Sequence, residues 1–177
     1  MINIKLIRHT KVQDPSVCYG QMDVALDADD FKKSVLRLKE ELGNLSTIYS
    51  SPSQRCLKLA NALCEQVIVI DDLLEMNFGI WQGLVWGDID RAQIDEWAKD
   101  VQYYQPAEGE SCHQFFLRAK KGLEKLPDNA IVITHAGIIR ASKFWYQNQN
   151  FEQASQFTVE HAHSYNINTQ NTTDIGS

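Results

Sequence analysis

Five side chains in this sequence have the types and placements for group-transfer chemistry: Arg8, His9, Arg55, Glu75 and His135. Arg8 and His9 follow the apolar run Ile4-Lys5-Leu6-Ile7 with no helical period after them. They read as polar groups delivered at the C-terminal tip of a buried strand. His135 repeats the arrangement after the apolar run Ala130-Ile131-Val132-Ile133-Thr134, where the small residues Ala136 and Gly137 start a helix. Arg55 lies in the first turn of a helix opened by Ser51-Pro52, just past the short strand Thr47-Ile48-Tyr49-Ser50. A cation there opposes the helix dipole, and an anion held between the two would reverse the sign. Ligands of open parallel sheets bind at the carboxyl ends of the strands, so these groups are expected to converge on one edge.

Arginine forks match phosphate oxygens, cations stabilise the charge of a transferring phosphoryl group, and a neutral imidazole is a competent nucleophile. Glu75 precedes Phe78-Gly79-Ile80-Trp81-Gln82-Gly83, and an acidic group beside apolar rings is how a carboxyl is kept protonated near neutral pH. The sequence has no Walker-type loop and no carboxylate cluster suited to magnesium. The set therefore predicts metal-independent phosphoryl transfer through a phosphohistidine, with no cofactor.

The elements that must position these groups follow from periodicity. Between Lys11 and Asp27 no period is sustained, so a long loop is expected, with Cys18-Tyr19-Gly20-Gln21-Met22-Asp23 at its centre and Gly20 where backbone approaches a ligand. Phe31, Val35, Leu38 and Leu42 mark a helix capped by Asp27 and ended by Gly43. Cys56, Leu59, Ala60, Leu63 and Cys64 form the buried stripe of the next helix, and Val67-Ile68-Val69-Ile70 is a third strand. The aromatic-rich stretch from Trp86 to Pro106, with a helix between Asp88 and Lys99, reads as a cap over the strand tips that packs mainly on itself. Gly109-Glu110-Ser111 leads a further helix that Pro127 stops, Phe157-Thr158-Val159-Glu160 is expected to form a last strand, and the tail from Asn168 is expected to be loose. Strands alternating with helices predict an α/β fold, a three-layer α/β/α sandwich with a mostly parallel central sheet. One domain over residues 1–177, with a cap insertion at about 81–108, is expected.

Two other patterns have blander readings. His161 and His163 alternate as strand neighbours do, lack a third ligand at suitable spacing, and are expected to be exposed. Cys112 and Arg118 satisfy the bare spacing of cysteine-dependent phosphatases, but the intervening residues are bulky and helical, without a glycine to wrap a phosphate.

The 23 acidic and 17 basic residues give a net charge of −6, which argues against nucleic acid as a partner. The four cysteines form no Cys-x-x-Cys pair and read as reduced thiols of a cytoplasmic protein. No signal segment or long apolar run is evident, so neither secretion nor a membrane partner is expected.

Leu6-Ile7-Arg8-His9-Thr10, Ser51-Pro52-Ser53-Gln54-Arg55, Glu75 with Phe78-Gly79-Ile80-Trp81-Gln82-Gly83, Gly109-Glu110-Ser111 and Thr134-His135-Ala136-Gly137-Ile138-Ile139-Arg140 resemble, in order, the signatures of the histidine phosphatase superfamily, also called phosphoglycerate mutase-like. Within it, the Cys18–Asp23 segment and Trp86 make the chain most similar to the α-ribazole-5′-phosphate phosphatases of cobalamin nucleotide-loop assembly. The resemblance implies that His9 is the nucleophile, that Arg8, Arg55 and His135 bind the phosphoryl oxygens, and that Glu75 is the acid for the leaving alkoxide and then the base for water. Tyr19, Gly20, Gln21, Ser111 and Ala136 are candidate substrate-binding residues. Three departures stand out: Thr10 where glycine is usual, Pro15 where mutases often have asparagine, and Gln82 in place of a common glutamate. The first two, with the short chain, weigh against a mutase. The expected partner is a small-molecule phosphomonoester, and the expected assembly a monomer or homodimer. A phosphoglycerate mutase, a broad sugar-phosphate phosphatase and a silent phospho-ligand or protein-binding module are the rivals.

Overall fold

The structure is a computed structural model that describes residues 2–169. Five strands, β1 (Ile2–Arg8), β2 (Ile48–Ser50), β3 (Val67–Val69), β4 (Ala130–Thr134) and β5 (Ser164–Thr169), form one sheet in the order β3-β2-β4-β1-β5. The first four are mutually parallel, and β5 runs antiparallel to β1 at the edge. Parallel pairing requires crossovers, which are supplied by α1 (Ala28–Leu42), α2 (Gln54–Leu63) and α4 (Cys112–Glu124), while α5 (Ala136–Tyr146) leads from β4 toward the antiparallel β5. Two smaller helices, α3 (Arg91–Lys99) and α6 (Phe151–Gln156), complete the chain.

Successive strand residues point to opposite faces, and two separate cores result. Leu6 and Val132 pack with Phe115, Phe116, Ile138 and Ile139 of α4 and α5, whereas their neighbours Ile7 and Ile133 pack with Leu38, Cys56 and Leu59 of α1 and α2. Both faces of the central strands are thus covered, which is why they read as continuous apolar runs rather than alternating ones. The three-layer expectation holds.

Helix ends follow local chemistry. Asp27 accepts the amide protons of Asp29 and Asp30, and Gly43 ends α1 at φ +66°. Ser111 and Gln114 form a reciprocal capping box at the start of α4. The cap region has its own small core of Cys18, Trp81 and Ile89, with Trp81 stacked on Tyr104 at 5.9 Å and edge-on to Trp97 at 5.7 Å.

One element differs from the sequence expectation. Phe157–Glu160 is not a strand: it is an irregular segment whose Val159 is buried in the core. The last strand is the polar Ser164–Thr169, whose Ile167 is buried in the core cluster with Tyr165 packed against it. Asn168 belongs to that strand, while the rest of the tail expected to be loose, residues 170–177, lies outside the described residues. Among the described residues no helix is long and apolar enough to cross a membrane.

Candidate active site

Strand register brings the two histidines together. Arg8 of β1 lies opposite Thr134 of β4, so the next residues, His9 and His135, leave the sheet side by side at its carboxyl edge. The His9 amide still donates to Thr134 O at 3.0 Å, and the two imidazole rings meet edge to face at 5.4 Å. β2 adds a third tip: the Ser51 amide donates to Ile133 O, and the Ser51 hydroxyl is 2.8 Å from His135 Nε2.

The His9 ring is almost fully buried, and its Nδ1 lies 2.7 Å from the Thr10 carbonyl oxygen. A carbonyl can only accept, so Nδ1 carries the proton and Nε2 carries the lone pair. Burial first, and the Arg55 and Arg8 charges after it, hold this imidazole well below its ordinary range of about 6.5. The buried His135 ring is depressed in the same way, by burial and then by Arg55. Both rings are therefore neutral at pH 7. His9 has a fixed tautomer, with the lone pair on Nε2.

Arg55, buried at the start of α2, donates from its two terminal nitrogens to Gly20 O at 2.6 Å and Met22 O at 2.7 Å. Those bonds tie the long loop to the helix start, and they use two of the five guanidinium N–H groups. Arg8 donates to Val159 O at 2.6 Å, and its Nε is buried without a partner. Both arginines line one cleft of about 210 Å³ together with His9 and Glu75.

The Glu75 carboxyl is half-buried in a cleft it shares with Phe78 and Trp86, with Oε1 accepting the Met76 amide proton at 3.0 Å and Oε2 that of Gly137 at 3.2 Å. A Cβ at residue 137 would overlap Glu75 Oε1, so only glycine lets the first turn of α5 approach this carboxyl. Phe78 and Trp86 line the same cleft farther along, their rings 5.6 Å apart.

The candidate substrate contacts divide. Tyr19 and Gly20 line the cleft, and the Tyr19 hydroxyl is buried without a partner. Gln21 instead holds the scaffold, its side chain donating to Glu75 O at 3.1 Å and its amide to Gln82 Oε1 at 2.8 Å. That second bond gives Gln82 a tethering role its sequence position did not suggest. Ser111 is occupied in capping α4, and Ala136 is buried at the start of α5; neither lines the cleft.

His161 is the residue that sequence reasoning missed. Expected to be exposed, it is half-buried, lines the cleft, and sits 5.4 Å from the His9 ring with its Nδ1 3.1 Å from His9 O. Strand alternation was the wrong pattern here, because Ala162 adopts φ +52° and turns the chain so that its amide donates to Arg8 O. The only local signal is proximity in sequence to the last strand. His163 is exposed as expected.

The Cys112 and Arg118 spacing has no nucleophilic counterpart in the fold. Burial pushes the Cys112 thiol up to about 11, away from a thiolate, and Arg118 spends its donors on main-chain carbonyls.

The chain is similar to known phosphatases in sequence and in fold. Phosphoserine phosphatase 1 of Hydrogenobacter thermophilus is 27% identical over 172 residues, covering 82% of this chain and 81% of that protein. The metal-independent phosphoserine phosphatase of Arabidopsis thaliana is 28% identical over 159 residues, covering 78% of this chain and 66% of its own length. The alpha-ribazole phosphatase of Shigella flexneri superposes with a TM-score of 0.81 at 20% identity, over 96% of this chain and 92% of that one, a likeness of fold. The model of the histidine phosphatase superfamily (branch 1) matches residues 4–174, and the chain belongs to that superfamily as a phosphatase hydrolase.

Proposed function

We propose that the protein hydrolyses a phosphomonoester whose leaving group is an aromatic nucleoside, α-ribazole 5′-phosphate or the related cobamide phosphate, through a phosphohistidine on His9. The observation that carries the choice of substrate is the inventory of the cleft. Its cations are Arg8 and Arg55, which we place at the phosphoryl end with His9, Glu75 and His161, and the rest of its lining is Val12, Pro15, Val17, Tyr19, Gly20, Phe78 and Trp86. An amino-acid or glycerate leaving group carries a carboxylate or a second phosphate, for which these walls offer no cation of their own and the Tyr19 hydroxyl as a neutral donor. A flat heteroaromatic base finds rings instead. The volume of about 210 Å³ suits the phosphoryl group and the sugar, with the base lying along the partly exposed Trp86 at the rim.

In the proposed reaction His9 Nε2 attacks phosphorus, the ester P–O bond breaks, and the leaving oxygen takes the proton of the Glu75 carboxyl. Arg8 and Arg55, with His135 behind His9, stabilise the charge on the phosphoryl oxygens. Glu75 then takes a proton from water, whose oxygen attacks phosphorus; the P–N bond breaks, and phosphate departs with His9 neutral again. The Nδ1–H bond to Thr10 O supports the positive charge on the phosphorylated ring. The same reading takes residues 1–177 as one catalytic domain with a cap at about 81–108, working in the cytoplasm as a monomer or homodimer.

Phosphoserine is the second reading, favoured by the names of the relatives at 27% and 28% identity. A panel of α-ribazole 5′-phosphate, O-phosphoserine and 3-phosphoglycerate, scored by kcat/KM in EDTA, separates them. The nucleotide is expected to lead by tenfold or more, roughly the worth of one good ring contact plus one unpaired charge. A higher value on phosphoserine overturns the substrate assignment and leaves the phosphatase chemistry standing.

A further inference from the structure

We propose that Arg118 and Glu110 are positioning residues for proton transfer: a charged clamp that fixes the main chain bearing Glu75 from both sides. The inference rests on the reading of Glu75 as the acid. The Arg118 guanidinium uses every donor it has. Nη1 donates to Asp72 O and Leu74 O, both at 2.9 Å, and Nη2 to Glu75 O at 3.1 Å and Glu110 Oε1 at 2.5 Å. Nε donates to Glu110 Oε2 at 3.3 Å, which completes the five N–H groups. Glu110 Oε1 also accepts the Asn77 amide proton at 2.8 Å, and the Glu110 amide donates to Asn77 O at 2.9 Å. Three carbonyls up to and including residue 75, and the amide two residues after it, thus belong to one ion pair.

The pair adds to the other ties on this segment, the Gln21 side chain donating to Glu75 O at 3.1 Å and the buried Leu73 and Met76 on either side. Between β3 and the cap the chain makes two short 3-10 turns, Asp71–Leu73 and Gly79–Trp81, so no sheet ladder fixes the Cα of Glu75. Arg118 does not line the cleft and acts through the backbone of Glu75 rather than on substrate. Its guanidinium also lies 5.2 Å from the centre of the Phe115 ring, and that ring packs where a Cβ on Gly137 would stand. One rigid unit therefore sets both the stem of Glu75 and the amide of Gly137 that orients its carboxyl. The ion pair is three-quarters or more buried, with side-chain exposures of 23% and 16%, so solvent screening does not dissolve it.

A loosened clamp should slow only the steps in which Glu75 moves a proton. Arg118→Lys, Arg118→Gln and the isosteric Glu110→Gln are compared with wild type and Glu75→Gln on an alkyl phosphate and on p-nitrophenyl phosphate, whose leaving anion needs no protonation. The expected result is a fall of about ten- to hundredfold in kcat on the alkyl ester with KM little changed, since misplacement by about 1 Å has that scale. The nitrophenolate burst should keep its wild-type rate, and Arg118→Lys should recover part of the loss. If Glu75→Gln slows alkyl-ester cleavage while sparing the nitrophenolate burst and the clamp variants do not, or if they slow the burst as much as alkyl-ester cleavage, the clamp is refuted while the acid stands. If Glu75→Gln itself shows no such contrast, the acid assignment fails and the clamp with it. Thermal melts accompany each variant, and Glu110→Gln carries the comparison should Arg118→Gln fail to fold.

Discussion

At the proposed phosphoryl end of the cleft, the candidate reactive side chains are tied to main chain: His9 to Thr10 O, Arg8 to Val159 O, Arg55 to Gly20 O and Met22 O, and Glu75 to the amides of Met76 and Gly137. At the proposed leaving-group end, Phe78 and Trp86 meet through ring contact, and Trp86 is 38% exposed. Backbone hydrogen bonds fix a side chain to within tenths of an ångström, whereas ring contacts tolerate sliding. The first end can therefore set the chemistry shared by a whole superfamily, and the second can change substrate without disturbing it.

Damage at the two ends should look different. The largest effect is expected for Glu75→Gln, with kcat on an alkyl phosphate falling by ~10²–10⁴; steady-state assays measure it, and a loss below tenfold would blur the distinction. Gly137→Ala should follow at ~10², because its Cβ displaces the Glu75 carboxyl while the aromatic end is untouched. Trp86→Ala should raise KM for an aromatic nucleotide by about tenfold and leave the rate on a small alkyl phosphate near wild type, the scale of one lost ring contact. An equal effect on both substrates would remove the aromatic end from the account.

The smallest effect separates the ends by pH. His9 and His135 are held below their ordinary range in the fold, so as pH drops below about 6.5 the unfolded chain takes up protons that the folded chain refuses. Stability present above that value is lost as pH falls, by up to about 1.4 kcal/mol per pH unit for each histidine. Urea melts at about pH 7 and pH 5.5 should show the loss, and His135→Gln should reduce its slope.

The legible half of the site is the half built from strand tips. Apolar runs ending in Arg8-His9 and in His135 announce themselves locally, and parallel pairing alone then sets the two histidines side by side. Arg55 was readable from its place at a helix start. Glu75 was found as a residue but not with the amides that hold it, because they come from its neighbour Met76 and from Gly137, 62 positions away. His161 carried no local mark, since its contact with His9 spans 152 residues and depends on one left-handed alanine. The last strand escaped notice because an edge strand with one solvated face does not need the apolar run that Phe157–Val159 shows. The Arg118–Glu110 pair was masked by a spacing that suggested a different chemistry.

Rapid mixing with substrate, an alkaline quench that preserves phosphoramidates, and peptide mapping by mass spectrometry test the nucleophile directly. The account predicts one added phosphoryl group on the peptide containing His9, absent in His9→Ala together with turnover. A phosphoryl group on any other residue, or hydrolysis by His9→Ala at the wild-type rate, would contradict it.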